Sequence, residues 1–259
     1  MVSFADLKKI STEGVPKSGN KVFPKRIIDN LVPESKWGET FHFDGRRYYR
    51  TPNGGIYPSA TTFLGAFEDE THLIAWRKRV GEAEANRISK RSTDRGTAIH
   101  DALEHYVQGI PYDAEAATGE FFFMYEQLRV VLGELDDWSY VEHALWSDKL
   151  RVAGRCDLMG TFRKRRAILD YKNKNYVRGR EDMRDYFLQG ALYAVMHEER
   201  YGEKIDDIVI LASEEDKKRN KAHVFIEQVD NMRDELMDKS ARFQRQFAHW
   251  YDIPPLMLL

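Results

Sequence analysis

The sequence predicts an α/β protein, because its hydrophobic pattern changes from helical spacing to strand-like segments and back. Three segments are predicted to be helices: 71–90, which is rich in Arg, Lys and Glu, 95–108, which has an apolar stripe at helical spacing, and 119–135. Three strand-like segments follow, at 138–147, 150–162 and 167–172. The rest comprises a helix over 181–201, strands over 207–212 and 223–228, and a helix over 231–251.

The segment before residue 71 is expected to be an extension of that fold. Residues 1–40 are polar, rich in lysine and weakly periodic, as is typical of an arm. A hairpin is expected over 40–50 with Asp44-Gly45 as its turn, and a helix is expected to start near Ser59. We therefore divide the chain into 1–70, the extension with its hairpin, and 71–259, one compact body.

Local signals within the body support the helices and one turn. Asp94 is expected to cap the helix over 95–108, whose buried stripe includes Ile99 and Leu103. Leu188 and Leu192 are at helical spacing in the segment over 181–201. A turn over 163–166 is expected to join the second and third strands.

Composition excludes several classes of protein. With 42% hydrophobic residues, 32% charged residues and only 8 prolines, the chain is neither disordered nor collagenous. Its apolar runs are too short to cross a bilayer and its first residues lack a secretory signal, so we expect a cytoplasmic protein with no membrane partner. The single cysteine, Cys156, excludes an internal disulfide and a four-cysteine zinc or iron–sulfur site.

Charge is distributed unevenly along the chain. The net charge is −2, but residues 149–184 contain 12 Lys/Arg and 4 Asp/Glu, a local charge of +8. Such a basic block indicates either a binding surface for a polyanion or a solvated hairpin and helix face. The sequence leaves both interpretations open.

The motif Asp170-Tyr171-Lys172 follows the apolar residues 167–169. Side chains alternate along a strand, so Asp170 and Lys172 are expected on the same face. A charged pair at the end of a buried strand requires a partner or a function, because unpaired buried charge is costly.

Folding the hairpin over 163–166 brings another carboxylate close. If the midpoint of the turn falls between Lys164 and Arg165, the two residue numbers of each cross-strand pair add up to 329. Asp157 then lies opposite Lys172 and diagonal to Asp170. Two convergent carboxylates repel each other unless a cation lies between them, and oxygen ligands favour Mg²⁺ or Mn²⁺. An ordinary cross-strand pair between aspartate and lysine is the alternative.

Two pairs of polar residues at helical i, i+4 spacing add to this pattern. His100 and Glu104 share a helix face, with Gly96 on that face to allow a close backbone approach. Gln189 and Tyr193 form the second pair, on the helix after the Asp170 strand. Each pair indicates either a site wall or an ordinary half-buried helix face.

Together these motifs resemble the PD-(D/E)xK nuclease superfamily, specifically its RecB-like exonucleases. The matching stretches are Gly96-Thr97-Ala98-Ile99-His100, Glu142, Ala153-Gly154-Arg155-Cys156-Asp157, Ile168-Leu169-Asp170-Tyr171-Lys172 and Gln189-x-x-x-Tyr193. Residues 47–64 also resemble the corresponding segment of the mitochondrial genome maintenance exonuclease family and its bacteriophage relatives. Two departures are Asn173, where many relatives carry threonine, and Cys156, where the superfamily name has proline.

The resemblance implies a fold and a function. The fold would be a central mixed β-sheet flanked by helices, with an αβββαβ core and an N-terminal extension. The function would be a metal-dependent DNA exonuclease of phage origin that prefers single-stranded DNA or free ends, with RNA as a secondary substrate. A structure-specific endonuclease on the same core and a non-catalytic DNA-binding recombination accessory protein are the alternatives.

The resemblance also implies roles for individual residues. His100, Asp157, Asp170 and the backbone carbonyl of Tyr171 would hold one or two Mg²⁺ ions, with Mn²⁺ able to substitute. Lys172 would orient the attacking water or help to deprotonate it, and would stabilise the anionic transition state. Gln189 and Tyr193 would position the DNA strand, and Glu104 and Glu142 would support the site.

Further residues are candidates for direct contact with the nucleic acid. The candidates for phosphate and strand contacts are Arg151, Arg155, Lys174, Arg178, Arg180, Thr61 and Thr62. Tyr48, Tyr49 and Tyr176 are expected either to stack on unpaired bases or to pack on the strand faces.

Overall fold

The computed structural model describes residues 21–33 and 37–253. The first sheet in this part of the chain is small and antiparallel. Its strands are β1 (Thr40–Phe43), β2 (Arg46–Arg50) and β3 (Ile56–Pro58), in that order. The expected hairpin at Asp44-Gly45 is confirmed, with both turn residues at positive φ. The part of the expected arm at 1–20 lies outside the described residues.

A five-stranded mixed sheet forms the centre of the fold. Its strands lie in chain order: β4 (Leu135–Ser147), β5 (Val152–Phe162), β6 (Arg165–Lys174), β7 (Asp207–Glu214) and β8 (His223–Gln228). Strands β6 and β7 are parallel, and the other neighbours are antiparallel. The parallel pair requires a crossover, which the helix between these strands supplies.

Seven α-helices surround the two sheets within the described residues. They are α1 (Ala60–Gly65), α2 (Thr71–Val80), α3 (Glu82–Gln108), α4 (Ala114–Thr118), α5 (Phe122–Leu132), α6 (Arg184–Tyr201) and α7 (Val229–Gln246). Short 3₁₀ turns lie at Gly119–Phe121, Arg180–Met183 and Ala248–Tyr251. Across the described residues, no helix is long and apolar enough to cross a membrane. The predicted α/β class and mixed sheet are therefore confirmed.

Helices cover both faces of the central sheet, and the strand residues alternate between two cores. Ile168 of β6 and Ile208 of β7 pack with α1, α6 and α7 on one face. Their neighbours Leu169 and Val209 pack with α3 and α5 on the other face. Strand β7 is buried along its whole length for this reason, as expected of a strand between two helical layers.

The helix bounds differ from the prediction in three places. Asp94 does not cap a helix, because α3 already begins at Glu82 and Asp94 pairs with Lys90 on its surface. The break lies instead at Gly81, whose φ of 86° ends α2. The final helix ends at Gln246, and a 3₁₀ turn replaces its last predicted residues.

The turn between β5 and β6 is tighter than predicted. It contains only Arg163 and Lys164, both at positive φ, and Phe162 pairs with Arg165. The Asp136 carboxylate accepts a hydrogen bond from the Lys164 amide at 2.7 Å and stabilises this turn. The predicted register, in which the residue numbers of each cross-strand pair add up to 329, was therefore wrong. Leu158 pairs with Leu169, so these numbers add up to 327. The difference of two residues keeps every side chain on its predicted face.

Candidate metal centre

The corrected register brings two carboxylates closer than the sequence predicted. Leu158 pairs with Leu169 at the end of the β5–β6 pairing, and Asp157 and Asp170 are the residues that adjoin this pair on the two strands. Asp157 Oδ2 accepts a hydrogen bond from the Tyr171 amide at 2.8 Å, which fixes this carboxylate against β6. Because both aspartates are buried, their mutual repulsion requires a cation nearby.

Helix α3 adds His100 to this pair of strands. Its Nε2 lies 3.1 Å from the Tyr171 carbonyl oxygen, and its Nδ1 lies 3.6 Å from Asp157 Oδ2. The same Nδ1 lies 3.5 Å from Glu142 Oε1 on β4. The ligand atoms of His100, Glu142 and Asp157 all lie within 4.8 Å of one another. These three residues therefore form the group best arranged to hold a metal ion.

Glu142 has a more central place than the supporting role that the sequence suggested. It lies within β4 at a φ of 46°, a left-handed conformation that is rare for a residue with a side chain. Such backbone strain costs about 1–3 kcal/mol and concentrates at functional sites. Neither the hydrophobic pattern nor a local turn motif signals this conformation, so sequence reasoning could not rank Glu142 among the ligands.

Asp170 and the Tyr171 carbonyl lie beside the three-residue group. Asp170 Oδ2 lies 2.5 Å from Lys172 Nζ, whereas its Oδ1 has no hydrogen-bond partner among the described residues. The Tyr171 carbonyl faces the His100 ring. Asp170 is therefore a neighbour of the three-residue group, with one buried oxygen still available to a cation.

Burial and neighbouring charges shift the pKa values of three residues of this site, which are His100, Asp170 and Lys172. Burial opposes the charge on His100, but Asp157 and Glu142 outweigh it and raise the His100 pKa to about 9. Burial also opposes the charge on Lys172, but Asp170 and Asp157 raise the pKa of this lysine above its usual value. Burial raises the pKa of Asp170, and the Lys172 ammonium offsets part of that effect. Lys172 is therefore a charged ammonium.

A cavity of about 470 Å³ opens beside this cluster. Its lining residues are Gly96, Thr97, His100, Asp101, Glu104, Glu142 and Arg155. The close backbone approach expected at Gly96 is absent from the described residues, since no atom lies within 4 Å of a Cβ built there. Glu104 lies in the cavity wall and accepts a hydrogen bond from Gln108 Nε2 at 3.0 Å. The cavity is an open space lined by polar residues next to the cluster of His100, Glu142 and Asp157.

Gln189 and Tyr193 lie together on α6. Gln189 Nε2 donates to the Tyr193 hydroxyl at 3.2 Å. The Tyr193 ring is buried and packs on Gly154, where an added Cβ would lie 2.8 Å from Tyr193 Cε1. Because its ring faces the protein, Tyr193 orients Gln189 and offers no surface for base stacking.

Thr61 and Thr62 lie at the start of α1, next to β5. Ser59 caps this helix by accepting from the Thr62 amide at 3.1 Å, and it bridges to Ala153 of β5. Thr61 Oγ1 accepts from Arg47 Nη2 at 3.1 Å and is exposed. The start of α1 therefore lies beside the strand that carries Asp157, with one threonine accessible to a ligand.

Much of the basic block is neutralised by neighbouring elements. Ion pairs join Arg163 to Glu134, Arg165 to Asp207, Arg166 to Asp137, Arg180 to Glu227 and Arg184 to Glu235. The net charge of +8 counted along residues 149–184 therefore overstates the positive charge of this surface, because acidic residues from other strands and from α7 lie against it.

The five basic residues predicted to contact phosphates have different surroundings. Arg151 stacks on the Tyr251 ring at 3.7 Å, and Arg155 Nη1 donates to the Glu142 carbonyl at 2.5 Å. Lys174 donates to the Tyr186 hydroxyl, Arg180 pairs with Glu227, and Arg178 is exposed. Among these five, Arg178 is exposed and makes no ion pair or ring contact with the described residues.

The candidate stacking aromatics divide into two groups. Tyr48 and Tyr49 are buried at 1% and 2% exposure, so the packing interpretation is confirmed for both residues. Tyr176 is 70% exposed and keeps a free ring surface. Only Tyr176 of the three retains the exposure that stacking on a base requires.

No family model matches the sequence. No curated protein matches it either. The inference of function therefore depends on the motifs and on the geometry of the His100, Glu142 and Asp157 cluster.

Proposed function

We propose that this protein is a metal-dependent deoxyribonuclease of the PD-(D/E)xK type, acting as an exonuclease on single-stranded DNA or free ends. The observation that carries the proposal is the cluster of His100, Glu142 and Asp157, whose ligand atoms lie within 4.8 Å of one another. The buried pair of Asp170 and Lys172 lies on the adjoining strand. Carboxylates and a lysine in this arrangement suit phosphodiester hydrolysis.

The order of elements supports the same proposal. Helix α3, strands β4 to β6, helix α6 and strand β7 occur in this order along the chain, with α4 and α5 between α3 and β4, and the four strands belong to one sheet. This order agrees with the αβββαβ arrangement of the superfamily that the motifs resemble. The candidate residues lie on four of these elements and meet at one end of the β5–β6 hairpin.

The donor set fits Mg²⁺ or Mn²⁺. Two carboxylates and one imidazole supply hard oxygen ligands and one nitrogen, and the adjoining cavity leaves space for water and a phosphate. The second Asp170 oxygen, which lacks a hydrogen-bond partner among the described residues, is available as a further ligand. A bound divalent cation would neutralise the scissile phosphate and lower the pKa of the attacking water.

The protein's own residues would perform the remaining tasks. Lys172 carries its positive charge next to the ligands and stabilises the negative charge that develops on the phosphate. Gln189, held by the Tyr193 hydroxyl, presents its amide to the substrate strand. His100 remains fixed by the Tyr171 carbonyl, which selects the orientation of its ring.

Digestion of a panel of DNA substrates tests the proposal. End-labelled linear DNA and internally labelled circular DNA, each single- and double-stranded, and an end-labelled linear RNA would be incubated with Mg²⁺, Mn²⁺ or excess EDTA. We expect rapid loss of linear single strands with either metal, and no cleavage in EDTA. Asp157→Asn should abolish cleavage, whereas Asp238→Asn, an exposed aspartate on α7, should leave it unchanged.

The other outcomes each contradict a part of the proposal. Cleavage of circular single strands would identify an endonuclease, and binding without cleavage would identify an accessory protein. Cleavage that persists in EDTA would exclude the metal centre altogether.

A further inference from the structure

The backbone of β4 takes an unusual path at Glu142. Its φ of 46° interrupts a strand whose pairing with β5 is regular on either side, with Val141 opposite Leu158 and His143 opposite Cys156. The carboxylate that results lies 3.5 Å from His100 Nδ1. A return to extended backbone would redirect the Glu142 side chain, so something must hold this conformation.

Arg155 on the neighbouring strand makes the contact that holds it. Its Nη1 donates to the Glu142 carbonyl oxygen at 2.5 Å. The backbone of Arg155 is itself fixed by pairing with Ala144. The other guanidinium nitrogen, Nη2, lies close to Gly38, at 3.8 Å from a Cβ built at that residue. The Arg155 side chain is half-buried between Gly38 and Glu142, so the orientation of its guanidinium is restricted. The planar arrangement of its N–H donors suits a hydrogen bond to a carbonyl oxygen held in one place.

We propose that Arg155 is a positioning residue that fixes the left-handed backbone of Glu142 and thereby directs its carboxylate into the cluster with His100 and Asp157. The inference rests on the proposed function, since it takes the ligand of that cluster to be a divalent cation. It assigns Arg155 a role different from the phosphate contact that the sequence suggested. Arg155 acts through Glu142 and touches neither the metal nor the reacting atoms.

Arg155 lies in the cavity wall, a position that is compatible both with positioning Glu142 and with contacting a phosphate. It lines the same cavity as Glu142 and His100, so a phosphate contact would also place it near the substrate. The two roles differ in what is lost on substitution. A positioning residue supports metal binding in the absence of DNA, whereas a phosphate contact supports DNA binding in the absence of metal.

Titration with Mn²⁺ alone, followed by calorimetry, tests the proposal on the full chain. The proteins would be wild type, Arg155→Met, Arg155→Lys and, as a matched control, Arg178→Met at an exposed arginine. Loss of a residue that supports a metal ligand typically weakens metal affinity about 10- to 100-fold, and we expect that loss for Arg155→Met. Arg155→Lys should recover part of it through its remaining donor, and Arg178→Met should bind Mn²⁺ as wild type does.

Binding of a fluorescent single-stranded oligonucleotide in EDTA supplies the second measurement. We expect Arg155→Met to bind the oligonucleotide as wild type does and Arg178→Met to bind it more weakly. If Arg155→Met binds Mn²⁺ as wild type does, the positioning role is wrong, and weaker oligonucleotide binding would then identify a phosphate contact. If wild type itself fails to bind Mn²⁺, the proposed metal centre is wrong and the role of Arg155 is excluded with it.

Discussion

Lys172 Nζ lies 2.5 Å from Asp170 Oδ2, and the Asp170 side chain is only 2% exposed. Each charge of this pair depends on the other, because burial disfavours both. Lys172 also lies over the Tyr186 ring at 4.7 Å, which gives its ammonium a second fixed neighbour. Lys172 is therefore a positive charge held in place next to the proposed ligands, anchored by a carboxylate with one oxygen still unpaired.

Lys172→Met should remove most of the catalytic rate and leave metal binding in place. An oriented electrostatic group of this kind contributes about 10²–10³ in rate, so single-turnover cleavage should fall by that factor. Lys172→Arg should not restore it, because a planar guanidinium does not fit the space of an ammonium. Single-turnover assays beside Mn²⁺ titrations measure both properties, with the exposed Lys218→Met as control. Cleavage by Lys172→Met within a few-fold of wild type would identify the lysine as a structural partner of Asp170.

Glu142→Gln should weaken metal binding as strongly as Asp157→Asn does. Both residues offer a carboxylate oxygen to the same cluster, and an amide is a poorer ligand for a hard cation. Asp101→Asn is the matched control, because Asp101 lines the same cavity but lies outside the three-residue group. Titration of the apoproteins with Mn²⁺ gives the comparison. An unchanged affinity in Glu142→Gln would return this residue to the supporting role that the sequence suggested.

His197 should make the protein less stable in mild acid. Its side chain is fully buried, with Nδ1 3.2 Å from the Tyr140 hydroxyl, and burial outweighs Glu203 to lower its pKa to about 4. In the unfolded chain His197 takes up a proton as the pH falls through about 6.5, whereas in the folded chain it stays neutral until about pH 4. The free energy of unfolding therefore decreases as the pH falls from 6.5 towards 4. The loss approaches about 1.4 kcal/mol per pH unit, or roughly 2–3 kcal/mol by pH 4.5.

Urea unfolding at several pH values measures this effect. His197→Asn should lose less stability than wild type between neutral pH and pH 4.5, because it removes the group that binds the proton on unfolding. His72→Asn, at an exposed histidine, should follow the wild-type curve. Parallel curves for wild type and His197→Asn would show that another group causes the acid sensitivity.

The sequence predicted elements where the local signal is strong. The Asp44-Gly45 hairpin and the succession of strands along the chain followed from turn chemistry and period, and the structure confirms them. Asp157, Asp170 and Lys172 share a face because side-chain alternation survives a register change of two residues.

The remaining features depend on tertiary structure. Arg163 and Lys164 form a two-residue turn at positive φ, which their residue types do not favour and which Asp136 stabilises from another strand. The φ of Glu142 similarly depends on Arg155, whose contact spans two strands. Asp94 resembles a helix cap in sequence, yet α3 continues through it, with Ala85 buried before it and Ile99 buried after it.

Gly190→Ala should destabilise the protein although alanine favours a helix. Gly190 lies in α6 against β7, and a Cβ there would lie 2.2 Å from Cγ2 of the buried Ile208. Overpacking of a filled core costs about 1–3 kcal/mol, which exceeds the gain of up to about 1 kcal/mol in helix propensity. Gly96→Ala is the matched control, because no atom lies within 4 Å of its Cβ and only the helical gain remains. Urea midpoints should therefore fall for Gly190→Ala and rise for Gly96→Ala, and a rise for both would contradict the close packing of α6 on β7.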